Sequence, residues 1–340
     1  MSLERTLQQE RLTAVVRSFP QRRIVVVGDL IADQFLYGEI SRVSREAPVF
    51  ILRHERTETT PGGAANCAAN LAALDAQVVL VGVTGDDEAG AALLSKLRAS
   101  GVDCSVITSP SQRTTTKVRI LAGQIHSTRQ QVIRIDYDCA PLSDEKLREQ
   151  LRARMREVAL TADAVIISDY NYGVADDEMA SAVREAARQR RVPVLVDSRF
   201  RLSRFPDFTS ATPNEDEVEQ LLGRHLTDTA RLEAAGAELR ERLGYQALLI
   251  TRGNRGMILF EASAQEPLHI EAVGAREPVD VTGAGDTVIA TYTLALASGA
   301  SFVEAAHLAN YAGGLVVMKR GTASVSCQEL LSSVLRRDAK

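Results

Sequence analysis

The sequence predicts an α/β fold: a mainly parallel, doubly wound sheet flanked by helices, with a small β-strand lid attached. Three observations carry that expectation. Short β-branched runs alternate with helical patterns between residues 24 and 261, the rhythm of strands joined by helical crossovers. Most polar exceptions fall at the carboxyl ends of those runs, where open α/β sheets bind ligands. Two segments, 33–60 and 113–138, break the rhythm with period-two alternation and read as strands outside the main sheet.

The elements follow in order. Residues 1–21 are charged and amphipathic and lack the apolar core of a signal peptide, so they are expected to form an N-terminal helical extension. A main domain is expected over 22–330 and a tail over 331–340. IVVVG (24–28) is the first strand and VVLVGVTG (78–85) the next, with Asp86 expected to cap the following helix and Gly101 to end it. AVIISDY (164–170), PVLVDS (193–198), ALLITRG (247–253) and GMILFE (256–261) continue the series, with helices near 176–191, 214–222 and 229–243. EPVDVT reads as a strand end running into a helix that Gly299 stops.

The chain has 340 residues, 45% of them hydrophobic, which is ample for a large single core. Its net charge of −4 gives no electrostatic reason to expect nucleic acid or an anionic membrane. Tryptophan is absent and aromatics make up 4%, which argues against stacking platforms for single strands. No apolar run approaches membrane-spanning length. Cys67, Cys104, Cys139 and Cys327 lie far apart without a CxxC pair, so neither zinc nor a disulfide framework is expected. A reducing, cytoplasmic setting fits these features.

The chemistry concentrates in four places. DVTGAGD (280–286) precedes an apolar helical run, so its glycines bare backbone N–H groups at a helix start, an anion site. Asp286 there is either a helix cap or a general base beside the anion. GDLIAD (28–33) and PGGAANCAANLAAL (61–74) offer Asp33 and Asn66 to hydroxyls of a polyol, with Gly62 and Gly63 allowing close approach. In TPNEDEVEQLL (212–222), Asn214 and Glu217 share one face of a helix's first turn, where they either hold a hydrated Mg²⁺ or simply complement the helix dipole. In the lid segments, Val118, Ile120, Ile133, Ile135 and Tyr137 fall on one face. Lys117, Arg119, Arg134 and Asp136 fall on the other. Walker and dinucleotide fingerprints are both missing: there is no Gly-Lys dipeptide, and GAGDTV matches only two glycines of GxGxxG.

Taken in this order, GDxxxD, the GGAAN helix, the N-x-x-E turn and the late DVTGAGD resemble the ribokinase-like, PfkB family of carbohydrate kinases over roughly residues 22–330. YGEISRVSREAPV (37–49) and QQVIRID (130–136) are similar to the subgroup that phosphorylates D-glycero-β-D-manno-heptose 7-phosphate at O1, a step toward ADP-heptose for lipopolysaccharide. The resemblance implies an ATP- and Mg²⁺-dependent kinase with Asp286 as base and an anion hole from the N–H groups of Gly283, Ala284 and Gly285. It implies sugar contacts from Asp33, Gly62, Gly63 and Asn66. Asn214 and Glu217 would act at the ATP phosphates and Mg²⁺, the latter through water, while Thr251, Gly253 and Asn310 would line the nucleotide. Asp280, Thr282 and Ser324 match positions for a monovalent cation such as K⁺. The acceptor's own phosphate needs cations, which Lys117, Arg119 and Arg134, or Arg42 and Arg45, can supply. The apolar lid face implies a homodimer. Two departures touch the phosphates: Tyr172 and Arg199 stand where the subgroup carries lysines. Other PfkB acceptors (a fructose phosphate, a ribose-like sugar, a nucleoside) and a silent sugar-binding protein are the alternatives.

Overall fold

The computed structural model describes residues 3–123, 129–274 and 277–336. The chain opens with α1 (Leu3–Arg17), whose Leu12, Val15 and Val16 are buried in the same core as Ile24 and Val26. Those two belong to β1 (Arg23–Gly28), which is buried along almost its whole length. Its side chains alternate: Ile24 and Val26 enter one core, Val25 and Val27 the other. A strand covered on both faces lies in the middle of a sheet, and a continuous β-branched run is what that position demands.

A long hairpin follows, β2 (Leu30–Val43) and β3 (Phe50–Gly63), then α2 (Ala64–Ala73), β4 (Gln77–Gly85), α3 (Glu88–Ala99) and the edge strand β5 (Asp103–Ser109). Next come β6 (Thr115–Gly123) and β7 (Gln130–Tyr137); residues 124–128, in the second lid segment, lie outside the described residues. The remaining elements are α4 (Glu145–Ala159), β8 (Ala164–Asp169), α5 (Asp177–Arg190), β9 (Val194–Ser198), β10 (Ser210–Ala211), α6 (Glu215–Leu222), α7 (Thr229–Arg242), β11 (Ala247–Thr251), β12 (Met257–Glu261), β13 (Leu268–Ile270), α8 (Ala284–Ala297), α9 (Phe302–Val316) and α10 (Cys327–Arg336).

Among the described residues the main sheet has the order β13-β12-β11-β10-β9-β8-β1-β4-β5, parallel except at β12 and β13. The chain leaves β1 toward β4 on one side and β8 pairs on the other, so β1 is a switch point with a crevice at its carboxyl end. Gly28 closes that end: a Cβ there would lie 2.0 Å from the Ser168 carbonyl oxygen. The lid is a separate four-stranded sheet, β3-β2-β6-β7. Val118 pairs with Ile135, Ile120 with Ile133 and Arg119 with Arg134, which produces the one apolar and one charged face that the alternation predicts.

Several expectations need correction. Asp87, not Asp86, caps α3, accepting from Gly90 N–H. Asp86 is still held by the sheet, its N–H donating to Ser109 O, so the helix begins one residue later. EPVDVT is not a strand end: Val279 and Asp280 donate their N–H groups to Val317 O, which fastens this turn to the end of α9. The edge strand β5 and the charged helix α4 were not anticipated. α10 runs through position 330, and its Leu330 and Val334 share a core with α1. Asp75 adopts a left-handed φ of 64°, a conformation that favours glycine.

Candidate active site

The carboxyl ends of β8, β9 and β11 open on a cavity of about 360 Å³ beneath the charged face of the lid. It gathers Asp33, Gly62, Gly63 and Asn66 with Lys117, Arg119 and Arg134 of the lid on one side. Asn214, Glu217 and Thr251 lie on the other, and the turn with Thr282, Gly283, Ala284, Gly285 and Asp286 closes the floor. Arg42 and Arg45 are exposed and do not line it.

Asp286 is 5% exposed, in the first turn of α8. Asn66 Nδ2 donates to its Oδ2 at 2.7 Å and the Tyr170 hydroxyl to its Oδ1 at 3.2 Å. Burial pushes the carboxyl up, Asp197 adds to the rise, and the two donors oppose it; the pKa lies at about 7. A carboxylate poised there suits proton abstraction near neutrality. Tyr170 is positioned by Asp29 at the end of β1, which accepts N–H bonds from Tyr170, Tyr172 and Val174 and so staples the turn after β8.

The N–H groups of Gly283, Gly285 and Asp286 have no backbone partner among the described residues. That of Ala284 donates to Val281 O at 3.2 Å, so the first turn of α8 closes on itself at the residue expected to be a third anion-hole donor. Gly283 needs to be glycine twice over. Its φ is 76°, and a Cβ would lie 2.5 Å from Asn66 Nδ2.

Of the lid cations, Arg119 ion-pairs with Asp33 and Arg134 with Asp136. Lys117 makes no ion pair among the described residues, and burial followed by repulsion from Arg134 and Arg199 lowers its pKa. Asn214 and Glu217 cap α6 reciprocally: Glu217 Oε2 accepts from Asn214 N–H at 2.9 Å and Asn214 Oδ1 from Glu217 N–H at 2.8 Å. Capping does not turn the pair away from the cavity, which both residues line. Burial raises Glu217 to about 6, and burial with the nearby Glu217 raises Asp197 to about 7. An all-oxygen set with few carboxylates suits Mg²⁺, which keeps most of its waters. Among the described residues no three acidic, histidine or cysteine side chains converge as a direct cage.

Asp280 and Thr282 lie together, Asp280 Oδ1 accepting Thr282 N–H. The Ser324 carbonyl accepts from Lys319 Nζ at 2.7 Å. A smaller cavity of about 170 Å³ adjoins the Gly285 turn and is lined by Thr251, Gly253, Asn310 and apolar Met257, Val273 and Val288. Asn310 also braces its wall, donating to Glu271 O at 2.7 Å.

Tyr170 and Asp197 line the main cavity but had no role assigned from sequence, and Arg199, expected near the phosphates, lines it too. All three sit at or just after strand ends, which was the available signal. Tyr172 does not line the cavity, and its hydroxyl donates to Asp138 just beyond the lid.

A switch-point crevice under a β lid, with a buried carboxylate at a glycine-rich helix start, defines a sugar phosphotransferase. The chain belongs to the pfkB family of carbohydrate kinases, whose model matches residues 21–329. As a member of that family it is a phosphotransferase with an alcohol group as acceptor. It is 42% identical over 319 residues to "Bifunctional protein HldE" of Pseudomonas aeruginosa, covering 94% of this chain and 65% of that protein. The protein of the same name from Caulobacter vibrioides is 40% identical over 325 residues, covering 94% and 65%. The chain thus spans 65% of the length of these relatives. Arabidopsis thaliana ribokinase complexed with ribose and ATP superposes with a TM-score of 0.70 at 22% identity, covering 92% and 98% of the two chains. Escherichia coli phosphofructokinase-2 in complex with substrates and products gives 0.75 at 20% identity with the same coverage. These two share the fold. No helix among the described residues is long and apolar enough to cross a membrane.

Proposed function

We propose that the chain transfers the γ-phosphoryl of ATP to O1 of D-glycero-β-D-manno-heptose 7-phosphate, giving the 1,7-bisphosphate used toward ADP-heptose and lipopolysaccharide. The observation that carries this reading is the charge of the cavity roof. Lys117, half-buried and without an ion pair among the described residues, lines the same space as Asp286, with Arg119 and Arg134 beside it. A neutral sugar has no use for that charge, whereas an acceptor with its own phosphate does. The likeness to the HldE proteins supports the heptose.

In this reading Asp286 accepts the proton of the attacking hydroxyl, and the N–H groups of Gly283 and Gly285 stabilise charge on the transferring phosphoryl. Asp33, Gly62, Gly63 and Asn66 hold the sugar. Asn214 and Glu217 orient the ATP phosphates, with Glu217 holding Mg²⁺ through water; the metal neutralises charge between the phosphates. Thr251, Gly253 and Asn310 line the nucleotide.

A panel of acceptors tests the proposal: heptose 7-phosphate is expected to give the highest kcat/KM, ahead of fructose 6-phosphate, ribose and nucleosides. A higher value for any of these moves the reading to another PfkB kinase, and no turnover with any acceptor leaves a silent binding protein. The outer lid face, with Ile133 at 52%, Ile135 at 38% and Phe50 at 58% exposure, is proposed to pair with a second copy. Light scattering should give twice 36.9 kDa, and the charge-bearing variant Ile133→Glu should give the monomer. A wild-type monomer refutes the pairing.

A further inference from the structure

Behind Asp286 runs a chain of buried polar side chains that never reaches the cavity. Asn70 and Thr287 are each 1% exposed, in the interface where α2 packs on α8. Asn70 Nδ2 donates to the main-chain carbonyl of Asn66 at 2.9 Å and to Asn66 Oδ1 at 3.2 Å. The Thr287 hydroxyl donates to Asn70 Oδ1 at 2.8 Å and lies 3.3 Å from Gly283 O.

The orientation of each amide follows from chemistry. A backbone carbonyl can only accept, so the Asn66 carbonyl forces the NH₂ of Asn70 toward it. The second N–H of that group then faces the Asn66 side chain, which must answer with its oxygen. The Asn66 NH₂ is thereby left pointing at Asp286 Oδ2. With either amide turned over, two donors or two acceptors would meet in a fully buried site, which is costly. Were the Asn66 oxygen to face Asp286, the carboxylate would be stable only when protonated.

We propose that Asn70 and Thr287 are positioning residues for phosphoryl transfer: they lock the Asn66 amide with its donor toward Asp286 and so keep that carboxylate able to accept a proton. The backbone N–H of Thr287, donating to Gly283 O at 3.2 Å, ties the same relay to the anion-binding turn. The inference rests on the reading of Asp286 as the base. The other groups facing Asp286 are Cys67 on α2, Tyr170 after β8, Asp197 and Arg199 at the end of β9, Asp33 on β2, and Lys117 and Arg119 on β6. Asn70→Leu and Thr287→Val leave all of them in place.

The test is the titration of the Asp286 carboxyl by ¹³C NMR in protein without substrates, assigned with Asp286→Asn. Loss of one donor hydrogen bond to a carboxylate is expected to raise the midpoint by about one pH unit in Asn70→Leu and Thr287→Val. Thr287→Ser, which keeps the hydroxyl, restores the wild-type value. The acidic limb of kcat should move up equally, with ATP KM unchanged. An unmoved midpoint, or a kcat lowered equally at every pH, overturns the proposal. If Asn70→Leu does not fold, Thr287→Val against Thr287→Ser decides. Because the titration needs no acceptor, its outcome is independent of which sugar is phosphorylated.

Discussion

Asp286→Asn is expected to lower kcat by about 10³-fold while ATP affinity changes little. The residue is buried and nearly isosteric, so the fold and the N–H groups of the turn survive, and what disappears is the proton acceptor, typically worth ~10²–10⁴-fold. The wild-type pH profile reports the same group. Because burial holds the folded pKa at about 7, above the usual carboxylate range, the carboxyl is protonated below that pH and a base above it. The kcat/KM for the acceptor should therefore climb tenfold per unit as pH rises toward 7 and flatten beyond it. A profile flat down to pH 5, or an active Asn variant, would remove Asp286 from the chemistry. ATP affinity is read separately by calorimetry.

The second large effect is expected at the roof. Lys117→Met should raise KM for the phosphorylated acceptor by roughly 10- to 100-fold, the range of a charge-assisted contact to phosphate. KM for ATP should change less than threefold. Arg119→Ala should behave differently, because its guanidinium already pairs with Asp33. Its loss leaves a buried carboxylate without its partner and should weaken phosphorylated and free sugars alike. Initial-rate kinetics with both acceptor forms separates the two variants, and equal loss for ATP and acceptor in Lys117→Met would sink the roof assignment.

Local features of the sequence were the legible ones. IVVV announces a strand buried on both faces because period and branching are properties of four neighbouring residues. GAGD announces a bare helix start for the same reason. The lid's two faces were readable from alternation, and the register of β6 with β7 agrees. The failures came where distant segments decide. Asp86 looks as good a cap as Asp87 until Ser109, on another strand, takes its N–H. EPVDVT has strand chemistry, yet the carbonyl of Val317 claims its N–H groups. Ala284 is a local case: its N–H turns back to Val281 O, three residues earlier. Tyr170 and Asp197 acquire meaning only when β8 and β9 bring them to a carboxylate about 90 to 120 positions later in the chain. α4 could have been found, since Leu147, Leu151 and Met155 repeat every four residues on one face and all are buried.

The most direct test of the central claim is the product itself. With ATP, Mg²⁺ and D-glycero-β-D-manno-heptose 7-phosphate, ³¹P NMR is expected to record a second sugar phosphate coupled to the anomeric proton, formed in step with ADP and absent with Asp286→Asn. Phosphate on any other hydroxyl, or ADP released without a new sugar phosphate, would contradict the account.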